Sequence, residues 1–214
     1  MTEHVCVEVV DDAATLDEAS SFSRAEFLSR SLAAGGIVVA GGVVLAGLPR
    51  LSAAAPPSAS MDLRILNFFL LLERLQEAFY ARALDEGALT GAAAEVAETV
   101  AEHEQAHVAF LEELLGDDAD GAPSFDFGDS TSDNDRFMAA ALMLEETTAA
   151  AYIGQGANLT IDKILAAARI VSVEARHAAW LRDLLGKKPA PRAADQAKTE
   201  KQVNAAIEAT GFVK

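Results

Sequence analysis

The stretch AEHEQAHVAFLEELLG, residues 101–116, decides how the rest of the chain is interpreted. It contains H-E-x-x-H from His103 to His107, a motif that on a helix is typical of zinc proteases, with Glu104 as the general base. It also contains the shorter motif E-x-x-H, which is typical of the half-site that a helix contributes to a dinuclear metal centre in a four-helix bundle. This stretch alone is compatible with both interpretations.

A second copy of the pattern lies 70 residues further along the chain. EQAHVAFLEELLG (104–116) matches EARHAAWLRDLLG (174–186) through E-x-x-H, an aromatic residue followed by leucine, an acidic residue, and Leu-Leu-Gly. Val173 stands in the second copy where the first has His103, so the repeated unit is E-x-x-H. The repeat therefore favours the dinuclear centre over the zinc protease, for which no third ligand follows at a suitable distance.

The repeat extends to the segment that precedes each motif. LLERLQEAFY (71–80) and MLEETTAAAY (143–152) each have a glutamate at the third position and a tyrosine at the tenth. The two glutamates, Glu73 and Glu145, are 72 residues apart, so the two halves of the chain are nearly in register. The sequence thus consists of two similar helical pairs.

Apolar residues recur with the period of an α-helix over four segments, residues 62–87, 92–115, 135–153 and 161–186. The connections within each pair are short, which predicts antiparallel neighbours. The connection between the pairs, residues 117–135, is long enough to travel the length of a helix. We therefore predict an all-α fold, an antiparallel four-helix bundle with a long crossover between the second and third helices.

Six side chains capable of binding a metal fall on the predicted core faces of these helices. They are Glu73, Glu104, His107, Glu145, Glu174 and His177. Ionised carboxylates are costly in an apolar core, and four of them would also repel one another. Two divalent cations would neutralise four carboxylates with both histidines neutral, and the i, i+3 spacing lets one ion contact both Glu and His. The pattern therefore predicts a dinuclear metal centre.

From about residue 62 to residue 186 the chain resembles the ferritin-like superfamily of dinuclear carboxylate proteins, and in detail the ferritin-like domain of desiccation-related and bacterial exported proteins. The resemblance implies that Glu73 and Glu145 are terminal ligands and that Glu104 and Glu174 are bridging ligands. It also implies that His107 and His177 are the nitrogen ligands. Rubrerythrin-like members carry an extra carboxylate one turn after the third-helix glutamate, where this chain has Thr148. The chain thus looks like the symmetric version with four glutamates and two histidines.

These residues and the resemblance together imply two Fe or Mn ions, because carboxylates with imidazoles suit both metals. Ions about 3.5–4 Å apart could clamp a peroxide between them, so dioxygen or peroxide is the expected reactant. Ferroxidase, peroxidase or catalase activity would fit, and the resemblance implies protection under oxidative or desiccation stress. A non-catalytic helical bundle acting in the cell envelope as a structural or interaction module is the alternative, and an iron-storage cage is a third. A homodimer is a further expectation, and the oligomeric state stays open.

Residues near the candidate ligands have two interpretations each. Tyr80 and Tyr152 lie two turns from a candidate glutamate, either as aromatics at the edge of the core or as hydrogen-bond donors to a ligand. His103 either supports a ligand or lies on the surface, and the surface is favoured. Glu77 and Glu146 are expected to face solvent or to pair with arginine.

Charge and cysteine content exclude several classes of protein. The net charge of −16 argues against nucleic acid and anionic membrane surfaces as partners and favours cations. Beyond residue 60 the chain carries 14 Lys and Arg against 26 Asp and Glu, so the acidity belongs mainly to the predicted bundle. Cys6 is the only cysteine, which rules out a disulfide framework and a thiolate metal site.

The first sixty residues resemble a targeting segment. Residues 1–30 are polar and are predicted to be disordered, and the uncharged stretch at 31–48 is followed by a region of small residues and proline, as in an export signal or membrane anchor. SRAEFLSRSLAAGG resembles a twin-arginine signal, although Ala25 replaces the second arginine. We therefore predict an exported or envelope protein with a leader at 1–60, a bundle at 61–188 and a tail at 189–214 that forms one short helix, and we leave cleavage open.

Overall fold

The computed structural model describes residues 56–214. This part contains five α-helices and no strand; they are α1 (Ala59–Glu86), α2 (Ala92–Leu115), α3 (Asn134–Gly156), α4 (Ile161–Leu184) and α5 (Glu200–Glu208). The all-α prediction is confirmed for this part of the chain. None of these helices combines the length and apolarity needed to cross a membrane. The apolar stretch and the twin-arginine-like segment of the predicted leader lie outside the described residues. The last residues of that leader, 56–60, are described and include the start of α1.

The first helix starts earlier than the sequence predicts because Ser58 caps it. The Ser58 hydroxyl accepts the backbone N–H of Met61 at 3.3 Å, which places the helix start at Ala59. Asp62, the predicted first residue, is buried and accepts both the N–H and the hydroxyl of Thr160, at 2.9 and 2.6 Å. Thr160 does precede α4 as predicted, but its side chain ties α4 to α1 and does not cap its own helix.

The connection between α2 and α3 runs along α1. The backbone N–H of Asp120 donates to Asn67 in the first third of α1, at 2.8 Å. Further along, the Thr131 hydroxyl donates to Glu86 at the end of α1, also at 2.8 Å. The segment therefore travels from one end of α1 to the other before α3 begins, as the predicted crossover requires.

Aromatic side chains from separate segments pack around Phe79 of α1. Phe137 of α3 stacks on this ring with a centroid distance of 5.3 Å, and Phe127 of the crossover meets it edge-on at 5.4 Å. Phe212, near the end of the chain, lies 6.2 Å from the same ring. The crossover and the tail thus complete the apolar core.

The C-terminal tail packs against α3 through its backbone. The N–H of Lys198 donates to the carbonyl of Ala150 at 3.0 Å. α3 continues to Gly156, past the predicted end at residue 153. Gly154 lies within the helix, where its lack of a side chain makes room for the backbone of Lys198. A Cβ atom added at Gly154 would overlap the carbonyl oxygen of Lys198 and lie 2.7 Å from its carbonyl carbon. Val203 and Ile207 of α5 are buried beyond this contact.

Substituting Gly154→Ala should therefore destabilise the folded protein by about 1–3 kcal/mol, the usual cost of overpacking, because the tail backbone must move away. Urea unfolding followed by circular dichroism measures this change. The matched control is Gly156→Ala on the same helix, where nothing lies within 4 Å of the added atom. An equal loss of stability in both variants would contradict the close approach of the tail.

Candidate metal centre

The six candidate ligands converge inside the bundle. The four helices α1 to α4 each contribute a glutamate, and α2 and α4 add a histidine one turn after theirs. Glu73, Glu104, Glu145 and Glu174 have no exposed surface, and His107 and His177 are 8% and 3% exposed. A helix places residues i and i+3 on one face, so each E-x-x-H motif presents both donors to the interior.

The donor atoms form two overlapping groups. Within each group one donor atom per residue lies within 4.8 Å of the others; the groups are Glu73, Glu104, His107 and Glu174, and Glu104, Glu145, Glu174 and His177. Glu104 and Glu174 belong to both groups. Each group could hold a metal ion, and the two shared glutamates would lie between the two ions.

The first group surrounds Nδ1 of His107. This nitrogen lies 3.1 Å from Glu73 Oε2, 3.2 Å from Glu174 Oε1 and 3.5 Å from Glu104 Oε2. Donors that bind one cation at about 2.0–2.2 Å are themselves about 3–3.5 Å apart when they are neighbours in the coordination shell. The spacing in this group matches that geometry.

The second group repeats this arrangement around His177. Its Nδ1 lies 3.1 Å from Glu145 Oε2, 3.4 Å from Glu104 Oε1 and 3.9 Å from Glu174 Oε1. Both histidines therefore turn Nδ1 toward the shared glutamates. The longer distance to Glu174 makes this group slightly more open than the first.

Two tyrosines cross between the halves to hold the unshared glutamates. Tyr80 of α1 donates to Glu145 of α3 at 2.5 Å, and Tyr152 of α3 donates to Glu73 of α1 at 2.6 Å. Both tyrosines are fully or almost fully buried, so neither lies at the edge of the core. Burial and the adjacent carboxylate raise the pKa of each phenol well above its usual range, which keeps both hydroxyls as donors.

Gln76 and Thr148 are polar residues of this site that the sequence analysis did not identify as such. The Gln76 amide donates to Glu174 Oε2 at 3.3 Å, and the Thr148 hydroxyl donates to the Gln76 carbonyl oxygen. Both side chains are buried. They occupy equivalent positions of the repeat, one turn after Glu73 and Glu145, and this register was the signal that could have identified Gln76.

His103 contacts a candidate ligand although its side chain is exposed. Its Nδ1 lies 2.8 Å from Nε2 of His177, and the two rings are within 8° of parallel. His103 is therefore exposed, as expected of a surface residue, but it also contacts a candidate ligand, which was not the favoured expectation. Glu146 pairs with Arg182 at 2.8 Å, one of the two expectations for it, and Glu77 is half-buried.

Three buried oxygens of the shared glutamates have no hydrogen-bond partner. They are Oε1 and Oε2 of Glu104 and Oε1 of Glu174. Buried polar atoms are nearly always satisfied, because an unsatisfied one keeps the full cost of its lost hydration. A cation between the two histidines would bind these oxygens, so the residues present fit a metal. The set of carboxylate oxygens with imidazole nitrogens also suits divalent metal ions.

The pKa values show the same excess of negative charge. Burial raises the pKa of Glu104 and Glu174 well above the usual range, and nearby carboxylates such as Glu145 raise both further. Burial would lower the pKa of His107, but the adjacent carboxylates of Glu104, Glu174 and Glu73 outweigh burial and raise the pKa to about 12. Protons thus balance the charge in the absence of cations, and cation binding would release them.

Two leucine substitutions in the metal-free protein compare a carboxylate that has hydrogen-bond partners with one that has none. Glu104→Leu removes a buried carboxyl without hydrogen-bond partners and should raise the free energy of unfolding by up to about 1–4 kcal/mol. Glu73→Leu leaves the buried Tyr152 hydroxyl without its acceptor and removes the nearest carboxylate of His107, so it should lower the free energy of unfolding by about 3–5 kcal/mol. Urea unfolding in the presence of a chelator measures both, and an equal loss in the two variants would contradict the unpartnered state of Glu104.

Comparison with known families identifies the fold to which these residues belong. Residues 61–187 match the family model for the ferritin-like domain, a range that covers more than half of the chain and includes all six candidate ligands. Comparison with curated proteins gives no significant match. The chain therefore belongs to the ferritin-like domain family.

Proposed function

We propose that this protein holds two Fe or Mn ions between its four main helices and uses them in redox chemistry with dioxygen or peroxide. The observation that carries the proposal is the pair of overlapping donor groups that share Glu104 and Glu174, because three of the four carboxylate oxygens of these two residues are buried without a hydrogen-bond partner. In this proposal these two residues would help to hold both ions. Glu73 with His107 would hold one ion, and Glu145 with His177 would hold the other.

Charge balance supports a pair of ions over a single one. Two divalent cations carry the four positive charges that the four buried glutamates require, with both histidines neutral. A single cation would leave two negative charges in a bundle interior that offers no buried Lys or Arg among the described residues. The electrostatics of the buried residues thus support two ions.

The donor chemistry supports iron or manganese. Hard carboxylate oxygens with two imidazoles suit these metals, and the described residues offer no thiolate that would favour softer ones. When bound, such a pair supplies one-electron or two-electron exchange with dioxygen or peroxide. The activity would then be of the ferroxidase, peroxidase or catalase type.

The protein residues around the ions orient the ligands and limit access of water. Tyr80 and Tyr152 each fix one oxygen of an unshared glutamate and retain their own proton. Gln76 holds Oε2 of Glu174, which leaves Oε1 directed at the donor groups. The apolar core around these residues excludes bulk water, which strengthens the electrostatic interactions within the site.

The biological setting in this proposal is protective. A protein that consumes an oxidant or oxidises a metal ion under stress would suit the cell envelope, where the export-like leader at 1–60 would deliver it. A structural or interaction module in the envelope remains the competing function. The two differ in whether bound metal takes part in turnover.

Metal loading tests the proposal directly. Full-length protein reconstituted anaerobically with Fe(II) or Mn(II) should bind two ions per chain, and adding oxygen or peroxide should change the optical spectrum and consume the oxidant. Glu145→Ala should reduce oxidant consumption by more than the roughly 10–100-fold loss that follows removal of an outer partner of a ligand. The matched control is Glu146→Ala, the next residue of α3, which pairs with Arg182 outside the site.

Three results would contradict the proposal. The first is well under one metal ion per chain after metal-replete preparation, and the second is equal behaviour of the two alanine variants. The third is a melting temperature that a chelator leaves unchanged, because a ligand at one hundred times its dissociation constant stabilises by about 2.7 kcal/mol. This third result would favour the structural module.

A further inference from the structure

The two halves of the site differ on the outer side of their histidines. The position immediately before each E-x-x-H motif holds His103 on α2 and Val173 on α4. A histidine can accept or donate a hydrogen bond through its ring, whereas valine has no polar atom. The repeat is therefore broken at a position that can contact a ligand.

His103 reaches across from α2 to the histidine of the opposite motif. Its Nδ1 is 2.8 Å from Nε2 of His177, with ring centroids 5.1 Å apart and planes within 8° of each other. The opposite nitrogen of His177, Nδ1, faces Glu145 at 3.1 Å and Glu104 at 3.4 Å. The His177 ring is thus held at both nitrogens.

This contact is compatible with only one arrangement of protons when His177 binds a metal. A ligating Nδ1 needs its lone pair, so the neutral ring carries its proton on Nε2. Nε2 must then donate, and Nδ1 of His103 must accept. The hydrogen bond therefore selects the tautomer and ring orientation that metal binding requires.

His107 lacks an equivalent support among the residues the structure describes. Its Nδ1 faces Glu73 and Glu174, but no described side chain makes a hydrogen bond to its Nε2. The equivalent of His103 in the repeat is Val173, which is half-buried and cannot accept one. The two donor groups are therefore similar in their ligands and unequal in the support of their histidines.

We propose that His103 is a positioning residue for His177 and makes the two metal positions of the site unequal, with the Glu145–His177 position binding its ion more tightly. The inference rests on the proposed dinuclear function and goes beyond it by assigning an order of affinity. Outer hydrogen-bond partners of metal-binding histidines typically change metal affinity about 10–100-fold, which sets the size of the expected difference.

Mn(II) binding to the metal-free, full-length protein tests this order of affinity. Equilibrium dialysis should give two separated dissociation constants for the wild type. His103→Ala should weaken the tighter one by about 10–100-fold and leave the other unchanged. His103→Asn, whose side-chain oxygen can take the place of the accepting nitrogen, should restore most of the lost affinity. Val173→His, which supplies an acceptor at the equivalent place, should tighten the weaker constant.

A double variant assigns the effect to one position. Glu145→Ala disables the second donor group, so adding His103→Ala to it should change the remaining constant by less than twofold. A large further loss in that double variant would overturn the assignment. Circular dichroism of every variant confirms folding, and the exposed position of His103 makes it tolerant of substitution.

The possible failures are distinguishable. Wild-type protein that binds no Mn(II) would overturn the dinuclear function and this inference with it. Wild-type protein that binds two ions, with both constants unchanged in His103→Ala and in Val173→His, would overturn the inference alone. Two equal constants in the wild type would do the same.

Discussion

The structure depends on the burial of four carboxylates around one common centre. Each of α1 to α4 brings one glutamate without exposed surface into the bundle interior, so every helix contact near the centre must accommodate negative charge. The surrounding residues accommodate this charge, because two histidines, two tyrosines and one glutamine direct polar atoms at these carboxylates. The oxygens that remain without partners belong to the two shared glutamates, and they locate the centre of charge that a cation would neutralise.

The sequence was informative about this centre because its ligands obey two local rules. Glu104 and His107 are spaced so that any α-helix presents them together, and the second copy at Glu174 and His177 repeats that spacing. The helical period then placed Glu73 and Glu145 on core faces without knowledge of the fold. The all-α class follows from the same period, and the crossover from the length of one connection.

Contacts between helices were harder to predict, because they depend on how each helix is rotated and how far it is displaced along its neighbour. His103 is exposed and lies next to a ligand in sequence, yet its partner is the histidine of the other half. Gln76 resembles an ordinary helix residue until Thr148 and Glu174 are seen beside it. The third predicted helix ended at residue 153, whereas α3 continues through Gly154, which allows the tail backbone to approach. No local sequence pattern predicts that contact.

The crossed tyrosines make the two halves mutually dependent. Tyr80 of the first helical pair holds a glutamate of the second, and Tyr152 of the second holds a glutamate of the first. A single hairpin built from either half would have a tyrosine without its acceptor and a carboxylate without its donor, and it could repair both defects only by meeting another copy of itself. The present chain is thus, in architectural terms, a tethered two-fold dimer of helical hairpins, and because the halves are joined in one chain they can differ in sequence, as they do at His103 and Val173.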